Sequence, residues 1–333
     1  MLLVHTTAAV PPSPGGNWVA IGHWDGVHRG HQAIIRNLVA GARAAGGQAV
    51  VMGFHPHAMA VLRPTEAPRQ LQTVPERAET LAALGVDVHL VLPFTRELAN
   101  TPPEAFVDEV LIRGLRARHV MVGFNFTFGR GGEGTAETLR ELCRRHGVPV
   151  TVCPPLRLGG ETVSSTLVRY LLAAGEVERA AELLGRPYSL SGTVVPGDRR
   201  GRLLGFPTAN LALAEGRQLP GEGVYAVRVR VLPPDRHYLP PPGWPGGDAE
   251  GPIYGGMANI GRRPTFAGEE LRVEVHLLDF SGDLYGQRLQ VEFIARLRPE
   301  RAFPGPEALR AQLEADAAAS RAILVDYLPG RVR

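Results

Sequence analysis

The stretch Asn17-Trp18-Val19-Ala20-Ile21-Gly22-His23-Trp24-Asp25-Gly26-Val27-His28-Arg29-Gly30-His31 decides the fold of the first half of the chain. An apolar run ending at Ile21 feeds a glycine-punctuated turn. The turn opens into residues 32–45, where Ile34, Ile35, Leu38, Val39 and Ala42 recur at helical spacing. Strand, glycine turn and helix start together aim backbone N–H groups and a helix dipole at an anion. His28 and His31 stand at that mouth, with Gly30 between them to let a phosphate approach the backbone. Taken alone, the His-x-x-His spacing fits phosphate binding, half of a metal site, or two surface histidines.

Outward from this stretch, residues 1–186 alternate between strand and helix patterns. Val50–Phe54 is a short apolar strand ending in His55-Pro56-His57. Residues 75–84 read as a helix stopped by Gly85, and 86–92 as the next strand. Pro102-Pro103-Glu104 starts a helix, proline being suited to a first turn, with a core stripe of Phe106, Val107, Val110, Leu111 and Leu115. Strands at 120–122 and 148–152 bracket a helix at 135–146. This alternation argues for an α/β, Rossmann-type parallel sheet that binds ligands at its strand C-termini. His28, His31, His55, His57 and Asn125 all fall at that edge. Val163-Ser164-Ser165-Thr166-Leu167-Val168-Arg169 has the signature of a capped helix start, and its other reading is a second anion-binding helix end. A helix broken at Gly175 then leads to Gly185-Arg186-Pro187, where the first domain is expected to end.

From Tyr188 the period changes to two. In Gly223–Leu232, Tyr225, Val227, Val229 and Val231 share one face, with Arg228 and Arg230 on the other. In Leu271–Phe280, Val273, Val275 and Leu277 point inward and Arg272, Glu274 and His276 outward. A turn at Ser281-Gly282-Asp283 and a strand at 289–297 follow. The pattern predicts an antiparallel barrel or sandwich over 187–333. A terminal helix over 307–327 would cover one side with Leu309, Leu313, Ile323, Leu324 and Tyr327. Pro233–Pro252, rich in proline and glycine, reads as a long surface loop.

Composition narrows the chemistry. The chain has 333 residues, 44% hydrophobic and 21% charged, enough for about two domains with cores of their own. No apolar run approaches the ~20 residues of a membrane span, and no signal-peptide pattern opens the chain, so a cytoplasmic enzyme is expected. Cys143 and Cys153 form no Cys-x-x-Cys pair. All 36 basic residues are arginine. Without lysine there is no Walker A loop, Schiff base or Ser–Lys dyad, so any ATP chemistry must meet phosphate charge with Arg, His, backbone N–H groups and a metal. The formal net charge is only +3, without basic runs carrying interleaved aromatics, which disfavours nucleic acid as a partner.

The order of motifs resembles the bacterial bifunctional riboflavin kinase/FAD synthetases over nearly the whole chain. The first half is similar to their adenylyltransferase domain through Gly22…Asp25-Gly26-Val27-His28-x-Gly30-His31, Pro93-Phe94-Thr95, Val122-Gly123…Asn125-Phe126…Phe128-Gly129 and Ser164-Ser165-Thr166…Arg169. The second half is similar to their kinase domain. There the likeness runs through Gly201-Arg202-x-x-Gly205-Phe206-Pro207-Thr208-Ala209-Asn210-Leu211, Gly223-Val224-Tyr225, Asn259-Ile260-Gly261-x-Arg263-Pro264-Thr265-Phe266, Val273-Glu274-Val275-His276 and Phe293-Ile294…Leu297-Arg298.

The resemblance implies two ATP-dependent reactions with Mg²⁺. Riboflavin is phosphorylated to FMN in the barrel, and FMN is adenylylated to FAD, with release of pyrophosphate, in the α/β domain. It implies ATP contacts in the first domain from Gly22, Asp25, Gly30, Asn125, Ser164, Ser165, Thr166 and Arg169, with His28 and His31 as hydrogen-bond donors to the phosphates. In the second it implies ATP contacts from Gly197, Gly201, Arg202, Gly205, Pro207, Thr208 and Asn210. Thr208 and Asn210 are the expected Mg²⁺ ligands, Glu274 the base or orienter for the hydroxyl, and Glu274 with Arg298 the flavin contacts. His23-Trp24, His55-Pro56-His57-Ala58 and Leu167 depart from the common family pattern, all in the first half. They motivate an alternative, a riboflavin kinase whose first domain is a degenerate flavin-binding or regulatory module.

Overall fold

Apolar runs buried on both faces make parallel strands, and the first half of the chain has six of them. In the computed structural model, which describes residues 1–197, 201, 204–232, 251–265 and 268–328, these are β1 (Leu2–Val4), β2 (Asn17–Ile21), β3 (Gln48–His55), β4 (Val88–Pro93), β5 (Ala117–Gly123) and β6 (Val150–Cys153). They lie in the order β1-β4-β3-β2-β5-β6, and every pairing is parallel. Val19, Val50, Leu90, Val120 and Val122 pack on one side of the sheet, and Ala20, Val51 and Met121 on the other. The chain runs outward from β2 through β3 and β4, then returns to β5 on β2's other flank. That reversal opens a crevice beyond the C-termini of β2 and β5, the place where open α/β sheets bind ligands.

Helices flank this sheet as the periodicity predicts. In α1 (Arg29–Ala44), Gln32, Ile35, Leu38, Val39 and Ala42 are buried. α2 (Val74–Ala83) starts on a capping box in which the Glu76 N–H donates to Thr73 Oγ1 (3.4 Å) and the Thr73 N–H donates to Glu76 Oε2 (2.8 Å). The helix expected after Pro103 becomes a π-helix over Phe106–Gly114, and beyond it the Leu115 N–H reaches back to Val110 O. Its buried residues, Phe106, Val107 and Leu111, recur at intervals of four and five, which the wider turn keeps on the core side. α3 (Ala136–Arg145) completes this layer, with Leu139, Leu142 and Cys143 inward.

The chain divides into compact units at Met1–Leu167 and Val168–Arg333, so the expected division at 186/187 falls inside the second. α4 (Ser165–Ala173) crosses from one into the other, and α5 (Val177–Leu184) ends on Gly185 in the left-handed region. Six antiparallel strands then close a barrel: β7 (Tyr188–Val195), β8 (Ala209–Leu213), β9 (Gly223–Leu232), β10 (Ile253–Thr265), β11 (Gly268–Leu277) and β12 (Arg288–Arg298). Their order round the barrel is β7-β8-β11-β10-β9-β12.

Alternation in β11 follows expectation, with Val273, Val275 and Leu277 buried. In β9 it slips at the end, where Leu232 rather than Val231 is buried, after register shifts between β9 and β12. The terminal helix α6 is shorter than expected (Pro306–Leu324). It buries Asp316, Ala317, Ser320 and Leu324, while Tyr327 lies beyond it and is exposed. Arg202 and residues 233–250 of the expected long loop lie outside the described residues. No helix among the described residues is long and apolar enough to cross a membrane.

Candidate active sites

In the first unit, the turn between β2 and α1 holds an unusual backbone. Trp24, Gly26 and Val27 have φ of +51°, +81° and +39°. For a β-branched residue such as Val27 this is a real outlier, and a conformation of this kind persists only where surrounding bonds over-determine it. The bonds are present. The Trp24 indole N–H donates to Met52 O (2.8 Å), and Arg77 Nη1 donates to His23 O (3.2 Å). The Asp25 carboxylate accepts the backbone N–H groups of Leu71 (3.0 and 3.1 Å) and Gln72 (3.1 Å). Gln32 Nε2 donates to Val27 O (2.9 Å), and Ser165 Oγ donates to Asp25 O (2.8 Å).

That last bond ties the start of α4 to the turn that starts α1, so two helix N-termini converge. A Cβ at Gly30 would lie 3.2 Å from the His28 ring and 3.7 Å from Val163 O. Gly30 is therefore small because of its protein neighbours as well as any approaching phosphate. Gly22 is likewise pressed by the Trp24 indole. His28 caps α1, its Nδ1 accepting the His31 N–H (3.3 Å), and the two rings stack at 3.6 Å. An accepting Nδ1 leaves the proton on Nε2. His31 Nδ1 is buried without a partner. Burial, followed by the charges of His28, Arg77 and His23, pulls the His31 pKa well below the ordinary imidazole value. His31 is thus a neutral ring at neutral pH.

Ser164 caps α4 by accepting the Leu167 N–H (3.2 Å), so the plain capping reading holds for Ser164, while Ser165 serves the turn. Thr166 is exposed on the first turn, and Arg169 follows on the same helix. Asn125 is exposed just past β5, its Oδ1 near Gly123. His23 stacks on His57 at 4.3 Å. The sequence reading did not single out Arg77, which is 5% exposed with Nε unpartnered. Its signal was an arginine one turn before Leu81 on the buried face of a predicted helix. Both cysteines are buried and free, and burial pushes the Cys143 thiol up to about 11, which leaves it unreactive.

In the second unit the register builds the other site. Glu274 on β11 stands opposite Asn210 on β8 and opposite Asn259 on β10. Three polar side chains thus form one row across three strands on the outer face, next to buried Ala209, Ala258, Val273 and Val275. Thr208 Oγ1 donates to Glu274 Oε2 (3.4 Å). Gly197 lies against this row, and a Cβ there would stand 2.0 Å from Asn210 Nδ2, which no side chain can accommodate. The Phe206 N–H closes a turn on Gly201 O (2.9 Å), and Gly205 takes φ of +82° within it.

His276, read only as an outward residue, ties Pro207 down through Nδ1 and Pro207 O (2.8 Å), with the Phe206 ring edge-on to it at 5.1 Å. Arg298 grips Asp316 through Nε (2.9 and 3.2 Å) and Nη2 (2.9 Å), clipping α6 to β12, and Nη1 donates to Pro299 O (3.2 Å). Its guanidinium is therefore largely engaged by protein. Among the described residues no group of three or more His, Cys, Asp or Glu could hold a metal ion, so the His-x-x-His pair does not belong to such a cluster.

A family of FAD synthetases matches residues 10–167, and a family of riboflavin kinases matches residues 184–324. The bifunctional riboflavin kinase/FMN adenylyltransferase of Pseudomonas fluorescens is 39% identical over 324 residues, covering 97% of this chain and 98% of its own. That of Listeria monocytogenes is 38% identical over 306 residues, 91% of each chain. A crystal structure of a Streptococcus pneumoniae protein described as a macrolide-efflux protein superposes with a TM-score of 0.81 at 31% identity, covering 96% of this chain and 98% of that one.

Proposed function

The chain belongs to the family of bifunctional riboflavin kinase/FMN adenylyltransferases, and from that premise we propose how its residues divide the two reactions. In the barrel unit the ribityl 5′-hydroxyl of riboflavin attacks the γ-phosphorus of ATP. The hydroxyl loses its proton, and ADP leaves with the electrons of the broken P–O bond. In the α/β unit a phosphate oxygen of FMN attacks the α-phosphorus of ATP, and the α–β bridge breaks to release pyrophosphate. The observation that carries this reading is that each unit has its own polar constellation suited to phosphate. One is a pinned turn between two helix N-termini, and the other a row of oxygen-bearing side chains under a glycine loop. The efflux in the pneumococcal protein's description stays with that protein.

FMN is already an anionic nucleophile, so adenylylation needs placement and charge stabilisation more than a base. Charge accumulates on the departing pyrophosphate. The N–H groups at the starts of α1 and α4, with Gly30 and Ser165 at those starts, face that charge. His28 Nε2–H and the neutral His31 ring donate to it, and Thr166 and Arg169 hold the distal phosphates. Gly22 and Asp25 keep the turn in shape, and Asn125 places the substrates at the end of β5. Both departures at 23–24 are built into this turn, the His23 ring stacked on His57 and the Trp24 indole bonded to Met52 O. They support an intact adenylyltransferase rather than a degenerate one.

In the kinase half Glu274 orients the riboflavin hydroxyl and takes its proton. Gly197, Gly201, Gly205 and Pro207 shape the loop over ATP, and Arg202 belongs to the same motif. Thr208 Oγ1 and the Asn210 amide oxygen, next to a carboxylate, form an all-oxygen donor set that fits Mg²⁺ rather than a softer metal. Bound there with ATP, the ion would neutralise phosphate charge. Arg298, held rigid by Asp316, bounds the flavin side. Incubation with riboflavin, ATP and Mg²⁺ should yield FMN and then FAD on chromatography. Glu274→Ala should abolish FMN formation while added FMN is still adenylylated, and His31→Ala should do the reverse. Equal loss of both steps in either variant would refute the assignment.

A further inference from the structure

Phe206, Pro207 and Thr208 are held to the barrel one after another, each by a different group. Phe206 packs against Met257 on β10, Leu278 just past β11 and Ala317 on α6. Thr208 Oγ1 is bonded to Glu274 Oε2 (3.4 Å). Between them, Pro207 has no N–H, so its carbonyl is its one main-chain hydrogen-bonding group. That carbonyl goes to His276 Nδ1 at 2.8 Å, and the Phe206 ring stands edge-on to the same imidazole, centroids 5.1 Å apart.

The strand register explains why a side chain is needed at this point. β8 pairs with β11 at Asn210 with Glu274 and at Ala209 with Val275, and the pairing goes no further. One more step would set Thr208 opposite His276. His276 is outward, between buried Val275 and Leu277, and its ring takes over where the ladder stops. A carbonyl can only accept, so Nδ1 carries the proton. The charged ring carries a proton there too, and the bond does not depend on ionisation of the histidine.

We propose that His276 is a positioning residue of the kinase half, holding Thr208 in place through Pro207. The inference rests on the reading of Thr208 and Asn210 as the Mg²⁺ ligands. Asn210 lies within the strand ladder, whereas Thr208 is exposed and lies before it, in the segment that leaves Gly205 at φ of +82°. Without the His276 bond that segment loses a main-chain tie next to Thr208. The spacing of the Thr208 and Asn210 oxygens then loosens, and Mg²⁺ is an ion that demands near-ideal octahedral geometry.

The test uses the full-length protein with His276→Leu, His276→Asn and His276→Gln. Leucine keeps an apolar side chain against Phe206 and removes the donor. Asparagine puts an N–H at the position of Nδ1, and glutamine puts one further out, at that of Nε2. In the ligand-free protein, hydrogen exchange of the peptide covering 206–210 should quicken in His276→Leu and His276→Gln and stay near wild type in His276→Asn. With riboflavin, ATP and Mg²⁺, His276→Leu should lower kinase kcat about tenfold and raise the half-saturating Mg²⁺ concentration severalfold, with KM for riboflavin unchanged. His276→Asn should recover to within about threefold of wild type. FMN adenylylation should be the same in all three. Added to Thr208→Val, His276→Leu should cost little more, because both changes act on one ligand.

Wild-type exchange and Mg²⁺ dependence in His276→Leu would overturn the inference. So would a loss that asparagine rescues no better than glutamine, or fully additive losses in the double variant. If His276→Leu does not fold, the comparison of asparagine with glutamine decides. A Thr208→Val enzyme with wild-type Mg²⁺ dependence would overturn the reading beneath the inference. A Thr208→Val enzyme impaired in Mg²⁺ use, beside a silent His276→Leu, would refute His276 alone.

Discussion

Asp25→Asn isolates the contribution of the pinned turn. The wild-type carboxylate accepts the Leu71 N–H on both oxygens and the Gln72 N–H on one, and it lies near the buried Arg77 guanidinium. A charged acceptor contributes about 1.5–3 kcal/mol per hydrogen bond against about 1 kcal/mol for a neutral one. The amide forfeits that difference at two donors and turns one N–H₂ toward a site that held an acceptor. Arg77 also loses its nearby negative charge. Together the loss is about 2–4 kcal/mol, or roughly 5–12 °C in the melting temperature of a unit this size.

The positive φ at Trp24 and Val27 stores strain of order 1–3 kcal/mol each, so a loss of this size is enough to let the turn relax. FAD formation from FMN should then fall about a hundredfold, the usual effect of displacing binding groups by an ångström. FMN formation should be normal at temperatures where the protein is folded. Calorimetry and separate assays of the two steps measure this. Wild-type FAD formation with an unchanged melting temperature would refute the claim that Asp25 holds the turn.

Other perturbations probe different parts of the molecule. His89 is buried on β4 with both ring nitrogens unpartnered, and burial, with the charges of Arg77 and His5, lowers its pKa to about 3. The unfolded chain takes up a proton below about 6.5 that the folded one refuses, so stability from this group is present above that pH and lost as pH falls toward 3. His89→Leu should therefore flatten the acid side of the stability profile, by about 2 kcal/mol at pH 5, read by urea unfolding at successive pH values. Asp316→Ala leaves the half-buried Arg298 guanidinium without its carboxylate partner and should cost about 1–3 kcal/mol in the barrel unit, seen as a lower melting temperature and weaker kinase activity. Ser165→Ala removes the bond to Asp25 O and should slow adenylylation without changing riboflavin phosphorylation, and equal slowing of both would count against it.

The departures at 23–24 are explained by contacts the sequence cannot display. His23-Trp24 looks like a lesion in a motif until Met52 O and the His57 ring appear as side-chain partners, 28 and 34 residues away. Arg77 and Asp316 were invisible for a related reason. A charge on a helix reads as solvated until tertiary packing covers it and supplies, or withholds, a partner.

Local order alone determined much of this protein. A period near 3.6 between apolar runs required a parallel sheet with helices, a period of two required antiparallel strands, and the motif order named both catalytic halves. Lack of lysine leaves arginine, histidine and helix ends as the groups that can meet phosphate charge. The strand register decided the rest. Glu274 is an outward residue in its own strand's pattern. Only the pairing of β11 with β8 and β10 sets Asn210 and Asn259 on either side of it, because that pairing is fixed by the packing of the whole barrel core. In the same way Ile21–His31 announces a helix start, but only the closure of Ser165, Leu71, Gln72 and Arg77 around it holds three residues at positive φ and fixes the shape of the turn.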